Sequence, residues 1–181
     1  MDAIAALRTR RPVILPTDTV YGLCAWPFQR ETVERLYRLK GRDASKPSAL
    51  LAASIDALVD AFPELDRVRV EEYFPGPYTL VVPNPQHRFL WLTGTNPRAI
   101  GVRVPDLPPE TAEVVGALGV VCATSANAAG GPNPKRIEDI PLEIRVACGA
   151  VVDVGELPGV PSTVIDLTGD EPRVLRDGAG G

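Results

Sequence analysis

Residues 15–51 read LPTDTVYGLCAWPFQRETVERLYRLKGRDASKPSALL. The stretch opens on Pro16-Thr17-Asp18-Thr19, rich in turn formers and hydroxyls. Tyr21 to Ala25 follows as a short strand, and a helix is expected from about Glu31 to Leu39. There Val33, Leu36, Tyr37 and Lys40 fall at i, i+3, i+4 and i+7. Gly41 stops the helix. The stretch closes on a basic run, Lys40-Gly41-Arg42 and then Lys46-Pro47. A strand-turn-strand-helix unit folds back on itself, so the turn and the basic run can meet at one site.

Outward from this unit, strands and helices interleave. Met1 to Thr9 reads as a helix and Pro12 to Leu15 as a strand. After the basic run come a buried strand (Ser48 to Ala53), a helix capped by Ser54, and a second helix from Leu65 to Phe74. Tyr78 to Val82, Phe89 to Leu92 and Pro97 to Val104 read as strands. A helix opened by Pro108-Pro109 runs to about Leu118, and Val120 to Ala123 is a strand leading into Thr124-Ser125-Ala126-Asn127. Beyond the Gly/Pro-rich loop 128–135 lie a helix (Pro141 to Cys148) and strands at Val151 to Val154, Ser162 to Leu167 and Val174-Leu175. The glycine-rich end reads as frayed. The class is α/β, with one mixed, twisted sheet, flanking helices and a single domain over residues 1–181.

The 19 Lys+Arg residues include lysine only at 40, 46 and 135. Lysine is a compact point charge and arginine a planar fork. Keeping Lys40 and Lys46 beside Arg42 suits a phosphate or carboxylate, although cations at a helix C-terminus also suit the helix dipole. Net charge is −4, yet residues 30–46 hold six basic and three acidic side chains, a local +3. Such a patch fits a small anionic ligand better than a long polyanion.

Several classes fall away. The three cysteines are widely spaced with no CxxC pair, as in a reduced, cytoplasmic protein with cysteines in its core. Residues 1–10 are too short and too charged for a signal peptide, and no apolar run approaches the roughly 18–20 residues of a membrane helix. His87, the one histidine, lies in the exposed-looking loop PNPQHRF, which leaves no Ser-His-Asp triad and no His/Cys zinc set. Neither GxxxxGK[ST] nor GxGxxG occurs, so a nucleotide must bind by another arrangement.

The remaining candidates are polar residues at strand ends: Thr17, Thr19, Lys40, Arg42, Lys46, Arg103, Ser125, Asn127, Ser162 and Arg176. Thr17 and Thr19 can equally cap their own turn, Ser125 and Asn127 can close a loop on itself, and Ser162 can be a turn residue. Arg103, inside the apolar run Ile100 to Val104, either faces solvent or reaches into a cleft as a carboxylate clamp.

Taken together, PTDTVYGL, LKGRDASKP, FPGPYTLVV, GVRVP, TSAN with GGPNP, STVIDL and VLRDGA resemble the successive motifs of the YrdC-like threonylcarbamoyl-adenylate synthases, from about Val13 to Ala179. The resemblance implies a twisted mixed sheet with a concave, positively charged substrate cleft. It implies synthesis of threonylcarbamoyl-AMP and pyrophosphate from L-threonine, bicarbonate or CO2, and ATP with Mg2+. Downstream proteins would transfer the group to adenosine 37 of tRNA. On this resemblance Lys40 and Arg42 serve catalysis, with Lys40, Arg42 and Lys46 facing the ATP phosphates. Ser125, Asn127, Asn133 and Arg176 lie along the nucleotide, with Ala99 offering backbone contacts. Thr19, Arg103 and Ser162 hold threonine, with Ala123 again contributing backbone. The loop 128–135 is the expected lid.

Departures from the family pattern are Leu51 where some members carry a histidine, Leu107-Pro108 for a frequent His-Pro, and Asn133 for a commoner serine. The chain reads as the short, single-domain form. The rival reading is a same-fold paralogue that binds double-stranded RNA or tRNA weakly through the concave face with little synthase activity; net charge −4 weighs against it. A carbamoyl-transfer module like those of hydrogenase maturation lacks support, since its zinc-finger cysteines are missing.

Overall fold

The computed structural model describes residues 2–181. The chain runs α1 (Ala3–Arg8), β1 (Val13–Pro16), β2 (Tyr21–Ala25), α2 (Arg30–Lys40), β3 (Ala49–Ala52), α3 (Ile55–Ala61), α4 (Arg67–Glu71) and β4 (Tyr78–Pro83). It continues β5 (Ala99–Arg103), α5 (Pro109–Gly116), β6 (Val120–Ser125), α6 (Leu142–Ala147), β7 (Ala150–Val151), β8 (Thr163–Asp166) and β9 (Arg173–Arg176). The strands form one mixed sheet in the order β7-β1-β2-β6-β3-β5-β4-β8-β9, with β1/β7, β3/β5 and β4/β8 parallel.

Side-chain alternation decides which parts of this sheet are covered. Ile14, Leu23, Leu50 and Cys122 point to one face and pack beneath α2, α3, α4 and α6. Val13, Leu15, Cys24, Leu51 and Val121 point to the other, where α1 and α5 cover them. That second cover stops at β3. Over β5, β4 and β8 the first face stays packed through Ile100, Val102, Leu80 and Ile165, while the opposite face lies open. Register aligns Val81, Gly101, Ala49 and Ala123 in one row across four strands, so small residues keep the open floor low.

Helix α2 ends as its glycine requires. Gly41 takes φ +64°, its amide donates to the Arg38 carbonyl, and the Arg42 amide donates to the Tyr37 carbonyl. The helix C-terminus therefore delivers the basic run to the sheet edge.

Four segments differ from expectation. Phe89 to Leu92 is no strand: Leu90–Leu92 is a single 3-10 turn. Its aromatics pack as knobs, with the Trp91 indole donating to the Pro27 carbonyl and the Phe89 ring against Phe28. The helix expected over Leu65 to Phe74 is confined to α4 behind its cap Asp66. The strand expected over Val151 to Val154 pairs only at Ala150–Val151, because the chain then turns toward the Tyr21 hydroxyl, which accepts from the Val154 amide. The C-terminal glycines are tied down: the Ala179 amide donates to the Pro161 carbonyl, the Gly180 amide to Thr163 Oγ1, and the Tyr78 hydroxyl to the Gly180 carbonyl.

Candidate active site

The uncovered half-face is the floor of a cleft of about 550 Å³, within the roughly 300–1,000 Å³ usual for small-molecule sites. Its charged lining residues are Arg42, Lys46, Arg103 and Arg176, all basic. Two polar ends and an apolar middle can be told apart.

One end is built on the β1–β2 turn. Thr17 staples that turn: its Oγ1 donates to the Val20 carbonyl at 2.8 Å and accepts from the amides of Thr19 and Val20 at 3.3 Å. The self-capping role open to Thr17 in the sequence is thus real, and it leaves Thr19 facing the cleft. Arg103, the last residue of β5, reaches this turn from below. Its Nη2 donates to Asp18 Oδ1 at 2.9 Å, with Thr19 Oγ1 at 3.4 Å. Burial lowers the affinity of Arg103 for its proton and raises the Asp18 carboxyl above its usual range, each partly offset by the partner's charge.

Ser162, just before β8, closes the same end. Its Oγ shares a hydrogen bond with Thr79 Oγ1 at 2.7 Å, and its carbonyl accepts from Arg176 Nη2 at 2.7 Å. Arg176 on β9 is thereby aimed over the floor.

The other end is the basic run. The Lys46 amide donates to the Asp43 carbonyl, the Ser45 amide to Asp43 Oδ1, and Arg42 Nη2 to the Pro47 carbonyl, which curls the loop against the sheet. Arg42 Nε is buried without a partner. Lys40 is placed differently from expectation. It is 4% exposed, and its ammonium donates to the Ser125 carbonyl, the Asn127 carbonyl (2.9 Å), Asn127 Oδ1 (2.6 Å) and Ser125 Oγ (3.2 Å). Burial, and then the neighbouring Arg42 charge, lower its pKa to about 8. Lys40 stands behind the cleft and braces the TSAN turn.

The structure thus brings Thr19, Arg42, Lys46, Ala99, Arg103, Ala123, Ser125, Asn133, Ser162 and Arg176 onto one cleft wall and sets Lys40 and Asn127 behind it. Asn127 Nδ2 donates to the Gly131 carbonyl, and the Pro134 carbonyl accepts from the Tyr21 amide, so the loop 128–135 is anchored at both ends. Polar cleft-lining residues outside the sequence candidates include Ser48, Thr79, Thr93 and Asn96, and Asp18 behind the cleft is a further one through its bond to Arg103. For Thr79 the alternation of YTLVV held the signal, since Thr79 and Val81 share the cleft face.

No carboxylate lines the cleft, and among the described residues no cluster of three His, Cys, Asp or Glu could hold a metal. The cleft lining among the described residues thus offers Mg2+ no carboxylate ligand. The three cysteines are buried and free, with burial pushing the Cys24 and Cys148 thiols up to about 12, so none is a poised nucleophile. No helix among the described residues is long and apolar enough to cross a membrane.

Comparison with known proteins bears on this geometry. The family model Sua5_yciO_yrdC, described as telomere recombination, matches residues 5–178. A threonylcarbamoyl-AMP synthase of Chromohalobacter salexigens is 35% identical over 177 residues, covering 94% of this chain and 93% of that protein. The Bacillus subtilis threonylcarbamoyl-AMP synthase is 31% identical over 98% of this chain, which spans 52% of its length. In three dimensions, P. abyssi Sua5 complexed with L-threonine superposes with a TM-score of 0.85 at 33% identity, over 97% of this chain and 53% of that one. The chain thus spans about half the length of the latter two.

Proposed function

The chain belongs to the Sua5/YciO/YrdC family, and on that premise we propose that it is an L-threonylcarbamoyladenylate synthase, a nucleotidyltransferase acting on L-threonine, bicarbonate or CO2, and ATP. The observation that carries the reading is the division of one cleft. Arg103, Thr19 and Ser162 gather at the turn end, suited to a hydroxylated amino acid, and Arg42 and Lys46 stand at the basic end, suited to a polyphosphate. Val81, Val164 and Leu175 supply apolar surface to the same cleft.

In this reading Arg103 grips the substrate carboxylate and the hydroxyls of Thr19 and Ser162 orient the rest of the amino acid. The free amine adds to CO2, forming a C–N bond and releasing a proton to give the carbamate. A carbamate oxygen then attacks the α-phosphorus, the bond to the β-phosphate oxygen breaks, and pyrophosphate leaves with its electron pair. Arg42 and Lys46 stabilise the charge that develops on the leaving group. Asn133, Arg176 and Ser125, which line the same cleft, would contact the nucleotide, and Ala99 and Ala123, small residues of the lining, would allow its close approach. Mg2+ would accompany ATP as MgATP, screening the phosphate charge. The product is an activated acyl-adenylate, to be consumed by proteins that transfer the threonylcarbamoyl group to tRNA.

The test is product identification. Purified protein incubated with ATP, bicarbonate and L-threonine is expected to yield a nucleotide with the mass of threonylcarbamoyl-AMP, absent when threonine or bicarbonate is omitted. ATP consumption that yields only ADP or AMP would refute the assignment.

A further inference from the structure

Arg103 and Asp18 form a buried ion pair whose side chains are 11% and 10% exposed. The pair is joined by one arm only, Nη2 to Oδ1 at 2.9 Å. Arg103 Nε and Asp18 Oδ2 are both buried and both without a partner. A pair built for stability would close the fork, Nε and Nη2 on the two carboxylate oxygens, because each buried unpaired polar atom costs about 1–3 kcal/mol. Buried pairs are in any case often no better for stability than apolar packing.

What the single arm does achieve is aim. The Thr17 staple fixes Asp18 on the turn, and Asp18 holds Nη2 beside Thr19. Arg103 Nη1 carries no bond to the described residues and is not among the buried unpaired atoms, so it is free toward the cleft. Charge adds to this. The Arg176 guanidinium is close enough to disfavour the Arg103 cation, and Asp18 supplies the opposing negative charge. Asp18 itself does not line the cleft.

We infer that Asp18 is a positioning residue for the amino-acid substrate: it acts through Arg103, holding the guanidinium so that its remaining N–H groups meet the substrate carboxylate. This rests on the proposed threonine site. Asp18 touches no substrate, and its effect is confined to the turn end of the cleft.

The test measures L-threonine and ATP binding separately by titration calorimetry, together with steady-state kinetics. The proteins are wild type, Asp18→Asn, Asp18→Glu, Arg103→Met and the double variant Asp18→Asn/Arg103→Met. Asp18→Asn is expected to weaken threonine binding and raise its KM at least about tenfold, the scale of one charge-assisted contact. ATP affinity should stay within about twofold, and kcat at saturating threonine should fall less than about threefold, because the contact is made equally in the ground and transition states. Asp18→Glu keeps the charge and should fall between. In the Arg103→Met background Asp18→Asn should add nothing, since the two act as one unit; should Asp18→Asn alone fail to fold, Asp18→Glu, which keeps the charge but shifts the guanidinium, carries the test. Unchanged threonine affinity in Asp18→Asn, equal losses for both ligands, or additive losses in the double variant would overturn the inference. If wild type itself binds no threonine, the proposed function fails and this inference with it.

Discussion

Lys40 shows how much of a residue's role depends on depth. Its spacing on α2 and its place in Lys-Gly-Arg point to a phosphate ligand, and the chain's sparing use of lysine makes the choice look purposeful. The structure turns the ammonium inward, onto four oxygens of Ser125 and Asn127. Compactness explains the lysine: three N–H groups can fan out to a turn that a planar guanidinium would not fit. Replacing Lys40 by Met removes the donor these oxygens share, with only the Ser125 hydroxyl still donating to Asn127 Oδ1 among the side-chain bonds. Losses of about 1–3 kcal/mol for such a group, at about 2–4 °C per kcal/mol for a chain of this size, predict a melting temperature lower by several degrees. Weaker ATP binding should accompany it; a Lys40→Met protein that melts and binds ATP like wild type would contradict the role. The pKa of about 8 gives a second handle. Below it the ammonium is intact, and as pH rises through it the turn loses a donor. An unfolded lysine keeps its proton to a higher pH, so this group makes the folded state relatively more stable with rising pH across that window. ATP affinity is therefore predicted to fall between about pH 7 and about pH 9, a range spanning the Lys40 transition, without loss of thermal stability from this group. Titrations that give the same affinity at both ends would exclude the switch.

At the scale of elements, what the sequence makes legible is what period and punctuation encode. The strand at Tyr21–Ala25 and the helix ended by Gly41 stand where alternation, the 3.6-residue period and the glycine put them. Phe89–Leu92 was illegible because a four-residue apolar run fits a strand or a packed turn equally well, and only the partners Phe28 and Pro27 choose. The C-terminal tail misleads for a related reason: glycine suggests fraying, but here it permits close passage along Pro161 and Thr163. Gly94 illustrates the same use of small size under the basic loop. It has φ +61°, and an added Cβ would lie 2.4 Å from the Ser45 carbonyl oxygen and 2.9 Å from the Pro47 nitrogen. Gly94→Ala must displace the loop that carries Lys46. Calorimetry should show weakened ATP binding with threonine binding in the absence of ATP retained; equal ATP affinity in the variant would mean the loop is not part of the nucleotide end.

Over the whole molecule, the site is the place where the sheet outruns its cover. Helices α1 and α5 close one face over β1 and over Cys24, Val121 and Leu51 of β2, β6 and β3, and the same face is open from Gly22, Ala123 and Ala49 across β5, β4 and β8. Long-range register, which no local pattern states, aligns Val81, Gly101, Ala49 and Ala123 into the floor. This is why the individual polar residues were visible in the sequence as candidates while their division into two ends was not. The two ends of the site come from segments far apart in the chain, Thr19, Arg103 and Ser162 at one and Arg42 and Lys46 at the other. Ligands that bridge them should therefore stabilise the fold as a unit. At about 100 times its dissociation constant a ligand adds about 2.7 kcal/mol, so ATP with threonine should raise the melting temperature by several degrees, at about 2–4 °C per kcal/mol. A melting curve indifferent to both would contradict a shared cleft.

The most direct measurement is pyrophosphate release from ATP and bicarbonate, with and without L-threonine, by wild type and by Arg42→Ala. The two-ended cleft predicts release that requires threonine and is lost in Arg42→Ala while the fold stays intact. Release without threonine, or none from the wild-type protein, would contradict it.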